Sequence, residues 1–354
     1  MTTRSYKVLG VMSGTSLDGV DLINVSFHFD GKWSYQIHQA ETIAYSKKWE
    51  ATLKRLVDFS KDTLSQIDED YTKYLSGLIR DFIIKYRIDS LDAVCSHGHT
   101  ALHQPSEGLT YQIGNLPVIS QLLEQKVVCD FRVQDVELGG QGAPLVPIGD
   151  ALLFSEYDFC LNLGGFANIS TDMKGSRIAY DICPVNIVLN HYVRQLGLDY
   201  DDQGQIARSG NLDETLLEQL NSLEFYKMSF PKSLGLEWVE TSILPLIDDA
   251  RLSIEDILRT ITEHAANQIS KEFEIKPGGT VLITGGGVYN SFLIERIKAK
   301  TKASIVIPSS EIINYKEALI FGFLGVLKMR EEPNCLASVT GASHDHSSGQ
   351  VYYQ

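Results

Sequence analysis

Residues 6–25 read YKVLGVMSGTSLDGVDLINV, and the reading of this stretch decides how the chain is organised. An apolar run at 8–12 leads into Ser13, Gly14, Thr15 and Ser16, then Leu17, Asp18 and Gly19. A second apolar run starts at Val20 and includes Asp21. Two strand-like runs about a turn rich in Gly, Ser, Thr and Asp predict a β-hairpin. Gly14 and Gly19 let the backbone approach a ligand closely. Successive N–H groups, with the hydroxyls of Ser13, Thr15 and Ser16, can form an anion-binding nest. Asp18 and Asp21 put carboxylates where a phosphate-bound Mg²⁺ needs oxygen ligands. The same residues also make an ordinary hairpin turn, and the stretch alone leaves both readings open.

The pattern returns further along. FCLNL at 159–163 is strand-like, Gly164-Gly165 makes a turn, FANIS at 166–170 with Asn168 resumes the strand, and 176–180 adds a third strand that ends on Asp181. A unit of strand, glycine turn, strand and strand therefore occurs twice, each copy followed by helices and single strands. Such a duplication predicts two similar α/β domains that face each other across a cleft. A third glycine cluster, Gly285, Gly286 and Gly287 with Asn290, follows the buried strand TVLIT at 280–284 and precedes a helix. That placement allows backbone contact with a flat or phosphorylated ligand. The expected domains are 1–135 and 136–337, with the tail 338–354 packing back on the first.

Between these units, helical spacing predicts helices over 47–59 and 64–86. A short strand at 91–95 is expected to deliver Ser96, His97, His99 and His103 to a loop at its end. The histidine spacing is not the i, i+4 pair of a zinc protease, so they read as loop histidines that bond a ligand or one another rather than a metal. His344-Asp345-His346 reads as a solvated loop. The stretch 139–144, GGQGAP, is expected to be flexible and to serve as an interdomain crossover. Arg132 and Asp135 before it either contact an anionic small molecule or form a structural ion pair. Asp181 precedes a helix expected from Pro184, so it is either a general base or a helix N-cap; Asn186 follows, where it can orient a ligand. Glu317 is expected to open a helix, reaching the cleft or favouring the helix N-terminus electrostatically.

At 354 residues with 44% hydrophobic and 21% charged residues, the chain has the composition of a globular protein with a sizeable core. A formal net charge of −14 argues against nucleic-acid and anionic-membrane surfaces, but not against ATP held by backbone dipoles and Mg²⁺. The beginning MTTRSYKVLG lacks an apolar signal region, and five scattered cysteines without a C-x-x-C pair point to reduced thiols in the cytoplasm. There is no G-x-x-x-x-G-K-[ST], no G-x-G-x-x-G opening a βα unit, no kinase H-R-D or D-F-G set and no G-x-S-x-G elbow.

With these pieces in place, the chain resembles the anhydro-N-acetylmuramic acid kinases, within the superfamily of sugar kinases, Hsp70 and actin. The resemblance is carried in order by GVMSGTSLDGVD (10–21), SHGHTALHQP (96–105), QIGN (112–115), DFRVQDVELGGQGAPLVP (130–147), NLGGFANIS (162–170), TGGGVYN (284–290) and EALIFGFL (317–324). It implies two duplicated actin-like (ribonuclease H-like) domains flanking an ATP cleft. It further implies phosphate binding by residues 14–21 and by Gly164, Gly165 and Asn168, adenosine contacts at Gly285, Gly286, Gly287 and Asn290, and sugar contacts from Ser13, His97, Arg132, Asn186 and Glu317. Asp181 matches the family's catalytic base. ATP and an amino sugar are the implied partners and Mg²⁺ the implied cofactor; a homodimer is compatible with this reading, and the cleft is expected to close over its substrates.

One departure bears on the sugar. The family pattern Asp-Thr-Gly-Pro-Gly-Asn stands here as Asp181-Ile182-Cys183-Pro184-Val185-Asn186. The bulkier side chains are expected to narrow or reshape the sugar pocket. Two alternatives follow: a kinase of the same fold for a different amino sugar, and a non-catalytic ATP-dependent switch.

Overall fold

The computed structural model describes residues 4–14 and 17–353. Thr15 and Ser16, both expected to bind phosphate, lie outside the described residues. The chain divides into two compact units, residues 1–153 with 315–354, and residues 154–314.

The first unit is built on β1 (Arg4–Ser13), β2 (Val20–Phe29), β3 (Trp33–Ile43), β4 (Ala93–Gln104), β5 (Leu109–Ile113) and β6 (Val127–Cys129). The opening stretch is the expected hairpin, with Ser13 opposite Val20. β3 continues the antiparallel meander. β4 then runs parallel to β1 and β6 parallel to β4, giving the order β3-β2-β1-β4-β6. The helix Lys61–Lys85, capped by Ser60, lays Leu64, Tyr71, Leu75, Ile79 and Phe82 against Leu9, Val11 and Val94 of the sheet. Burying each such side chain contributes about 1.5–3 kcal/mol.

The second unit carries β7 (Phe159–Leu163), β8 (Phe166–Met173), β9 (Ser176–Pro184), β10 (Thr280–Thr284) and β11 (Ser304–Val306). β7, β8 and β9 form an antiparallel meander; β10 and β11 are parallel, in the order β9-β8-β7-β10-β11. Both sheets place three antiparallel strands in reverse chain order and then two strands parallel to the first of them, β3-β2-β1-β4-β6 and β9-β8-β7-β10-β11. This shared order is the duplication at the level of topology, and it is the ribonuclease H-like α/β arrangement. The helix Ile254–Glu272 covers the sheet with Leu258, Ile261, Ala265 and Ile269.

Several expectations are corrected. The division does not fall at residue 135 but after Leu153, and it returns within the helix Ser310–Met329. Small residues explain the return. A Cβ on Gly10 would lie 2.1 Å from the Ala318 carbonyl oxygen, and one on Gly325 would meet the Cys95 sulfur, so this helix packs directly against β1 and β4. Because the helix begins at Ser310, Glu317 is an interior residue and does not serve its N-terminus. The tail closes the first sheet as β12 (Gln350–Tyr352), antiparallel to β6. The stretch 139–144 is pinned rather than free, since Gly140 and Gln141 N–H groups donate to the Asp135 and Thr340 carbonyls at 2.8 Å each. His97, His99 and His103 lie within β4, not in a loop after it. Among the described residues, no helix is long and apolar enough to cross a membrane.

Candidate active site

In the first unit, hydrogen bonds converge on the end of β1. The Ser13 hydroxyl is buried and lies 2.7 Å from His99 Nδ1; it accepts from the Tyr71 hydroxyl at 2.9 Å and also contacts the Tyr45 hydroxyl. Burial lowers His99 to about 4, so the ring is neutral near pH 7. No motif in the sequence marks Tyr45 or Tyr71.

The second convergence in this unit is His97, Arg132 and Phe321. His97 Nδ1 faces the Gly98 carbonyl at 2.9 Å, which assigns it the proton, and leaves Nε2 to accept from Arg132 Nε at 2.8 Å. Burial, and then the Arg132 charge, hold His97 well below the usual range. Arg132 Nη1 donates to the Gly142 carbonyl at 2.6 Å, and the guanidinium lies 5.7 Å from the Phe321 ring centroid. No ion pair joins Arg132 to Asp135 among the described residues. Gly98, at φ +71°, makes the bend that presents His97; a Cβ there would lie 2.5 Å from the Ile113 carbonyl oxygen.

Gly19 must be glycine because a Cβ would fall 2.4 Å from the Ile43 carbonyl oxygen. Asp18 is exposed and Asp21 half-buried. Asp21 Oδ1 accepts from the Thr42 hydroxyl at 2.6 Å. Desolvation nevertheless pushes its carboxyl up to about 6, helped by Glu317 and Asp18. Glu317 is reached by solvent although protein surrounds it on most sides. Desolvation raises its carboxyl, and Arg132 and Lys316 partly offset that. Asp21 thus lies in the field of two other carboxylates, and oxygen donors of this kind suit a hard cation such as Mg²⁺.

In the second unit, Gly164-Gly165 turns β7 into β8. The Val185 and Ile187 N–H groups donate to the Gly165 carbonyl at 2.8 and 3.2 Å. The first donors of the helix Asn186–Val193 are therefore spent on this turn. Asp181 lies inside β9, and the residue preceding that helix is Val185, so Asp181 is not a helix cap. Asp181 pairs across the sheet with Asn168, while Ala167 pairs with Cys183, leaving Ile182 as an inserted bulge residue. Asp181 Oδ2 accepts the Leu234 N–H at 2.8 Å. Burial raises the Asp181 carboxyl, and the Leu234 bond only partly offsets this. Nothing in the sequence marked Leu234.

Gly285 follows β10 at φ +85°, and a Cβ on it would lie 2.5 Å from Asn162 Oδ1. A Cβ on Gly287 would lie 2.7 Å from the Leu163 Cβ and 3.4 Å from Asn186 Nδ2. The third glycine cluster is thus packed on the end of β7 beside Asn186, and Gly286 is exposed. Asn290 is buried and caps the helix Ser291–Lys300, its Oδ1 accepting the Leu293 N–H at 2.9 Å. Ile182, Cys183 and Val185 are all buried in the core of this unit. Their side chains pack into the interior of this unit.

The sequence matches the anhydro-N-acetylmuramic acid kinase family model over residues 6–354. Curated relatives named anhydro-N-acetylmuramic acid kinase include that of Shewanella sp. (strain MR-4), 32% identical, with 95% of this chain and 96% of the relative covered. The relative from Vibrio cholerae is 31% identical over 98% of both chains, and that from Coxiella burnetii (strain Dugway 5J108-111) 32% identical over 98% of this chain and 97% of its own. A ROK family glucokinase from Streptomyces griseus, solved with glucose and AMPPNP, is a fainter likeness, with a TM-score of 0.40 at 11% identity over 90% of this chain and 98% of that one. On the full-length match, this chain belongs to the anhydro-N-acetylmuramic acid kinase family.

Proposed function

We propose that this kinase uses ATP to open 1,6-anhydro-N-acetylmuramic acid with water and to phosphorylate O6, giving N-acetylmuramic acid 6-phosphate for cell-wall recycling. In this reading Asp181 takes a proton from water and the resulting hydroxide attacks the anomeric carbon. The bond from that carbon to O6 breaks, and O6 accepts the γ-phosphoryl group as ADP leaves. The observation that carries the reading is the Asp181 environment. A half-buried carboxylate with one backbone donor, and no cation paired to it among the described residues, has the raised basicity that a general base needs at neutral pH.

Residues 14–21 and the Gly164-Gly165 turn with Asn168 are proposed to hold the ATP phosphates, and Gly285, Gly286 and Gly287 the adenosine. Asn290 supports that last turn as the cap of the helix after it. Ser13, His97, Arg132, Asn186 and Glu317 are proposed on the sugar. Ser13 does so through the network that fixes His99, since its own hydroxyl is occupied. Asp18 and Asp21 would hold Mg²⁺, which neutralises charge on the phosphates when bound. The burial of Ile182, Cys183 and Val185 supports this sugar over a different amino sugar.

The test is ADP release with 1,6-anhydro-N-acetylmuramic acid in H₂¹⁸O, followed by mass spectrometry of the product. One ¹⁸O in the sugar 6-phosphate supports water attack. A phosphorylated sugar without ¹⁸O, or no sugar-dependent ADP, overturns it.

A further inference from the structure

The tail segment read as a solvated loop holds a buried residue, His346, whose surroundings the kinase reaction does not use. Its Nδ1 lies 3.1 Å from the His344 carbonyl oxygen. A carbonyl can only accept, so Nδ1 carries the proton and a neutral ring has its lone pair on Nε2. That Nε2 is buried and has no hydrogen-bond partner. It points at Asp135 Oδ1, 3.5 Å away, and the Cys335 sulfur stands beside both, all three donor atoms lying within 4.8 Å of one another. Asp135 is 0% exposed, Cys335 1% and His346 5%. A lone pair facing a buried carboxylate oxygen is a repulsive contact unless a cation lies between them.

We propose that Asp135, Cys335 and His346 form a site for a divalent transition-metal ion of the zinc class. Two donors on a tetrahedral zinc at its usual bond lengths stand roughly 3.3 Å apart, close to the 3.5 Å between His346 Nε2 and Asp135 Oδ1. The surroundings are those of ligands already held in place. His346 donates its other ring N–H to a backbone carbonyl, the outer contact typical of metal-bound histidine. Asp135 Oδ1 accepts from the Thr340 hydroxyl and Oδ2 from the Gly142 N–H, each at 2.7 Å. Cys335 and His346 are fixed side by side by reciprocal backbone hydrogen bonds of 3.1 and 3.2 Å. One nitrogen, one carboxylate and one thiolate suit zinc or cobalt rather than Mg²⁺ or Ca²⁺. Charge also balances, because a carboxylate and a thiolate neutralise a divalent ion, the thiol proton leaving to solvent on binding. The ion ties the tail to the helix Val133–Glu137, directly after Arg132, and so acts as a clasp on the loop that positions that arginine.

The test uses the full chain, tag-free and purified without chelators. Elemental analysis is expected to find about one zinc per chain. Cobalt substitution is expected to give a thiolate-to-cobalt charge-transfer band. Cys335→Ser abolishes the band and weakens zinc by more than the roughly 10–100-fold that loss of an outer partner costs. His344→Gln, which alters an exposed ring, leaves both unchanged. Folded wild-type protein with no stoichiometric zinc and no cobalt–thiolate band overturns the site and assigns the cluster to a protonated His346 paired with Asp135. Loss of binding in His344→Gln overturns it equally, by moving the metal to the exposed tract. Neither result bears on sugar phosphorylation, which is assayed separately.

Discussion

Asn168 and Asp181 are cross-strand partners on β8 and β9, one position from the bulge at Ile182. In a regular strand Asp181 and Cys183 would point to the same face. The inserted residue separates them, so that Ile182 and Cys183 are buried while Asp181 keeps contact with solvent. The bulge is what lets a carboxylate and a core cysteine stand two residues apart. Deleting Ile182 leaves Asp181 and Cys183 on these two faces but removes a buried side chain and straightens the strand beside Asp181. The expected outcome is loss of activity together with a lower melting temperature, read by assay and calorimetry on the same sample.

As the proposed base, Asp181 with its raised carboxyl is expected to set the acid limb of the rate profile. Its proton is lost above the ordinary aspartate value of 3.8, so kcat/KM falls on the acid side at a higher pH than an unperturbed aspartate would give. A profile flat down to that value contradicts the assignment.

Asp21 gives a stability prediction of defined sign. Its carboxyl stays protonated in the fold up to about 6, whereas the unfolded chain releases the proton near 3.8. Folding stability therefore falls as pH rises between those values. Asp21→Asn flattens that decline and stabilises the protein above it by about 1 kcal/mol, allowing for partial exposure. Melting temperatures across the pH range, without Mg²⁺, check this. The same variant is expected to lose the Mg²⁺ dependence of ATP binding.

Arg132 uses its fork twice, on His97 and on the Gly142 carbonyl. A lysine cannot span both. Arg132→Lys is expected to raise the KM for the sugar about 10–100-fold, equivalent to about 1.4–2.7 kcal/mol, with the Kd for ATP unchanged. Steady-state kinetics and calorimetry separate the two constants.

Lys316, in the helix that returns to the first unit, forms a buried ion pair at 2.6 Å with Asp150 of the helix Val146–Leu153. Lys316→Met leaves a buried carboxylate without its cation and is expected to cost about 3–5 kcal/mol in chemical denaturation. A cost under about 1 kcal/mol would show that water already reaches the pair.

Much of this architecture is legible in the sequence. Both glycine hairpins and the third glycine cluster follow from short apolar runs broken by Gly, Ser and Asp, and those local signals survive folding. What was not legible depended on distant partners. The helix Ser310–Met329 was placed with the preceding residues because nothing local reveals that Gly10 and Gly325 admit it to the first sheet. Asp181 looked like a cap because the bulge at Ile182, which lengthens β9 to Pro184, is a matter of register and not of composition. His346 looked solvated because Asp135 lies far away in sequence and approaches only when the tail folds back.

Asp181→Asn tests the central claim most directly. Sugar-dependent ADP release by this variant is expected to fall about 10²–10⁴-fold, while ATP affinity by calorimetry stays unchanged. Turnover within about tenfold of wild type, with ATP bound equally well, would contradict the assignment of Asp181 as the base that activates water.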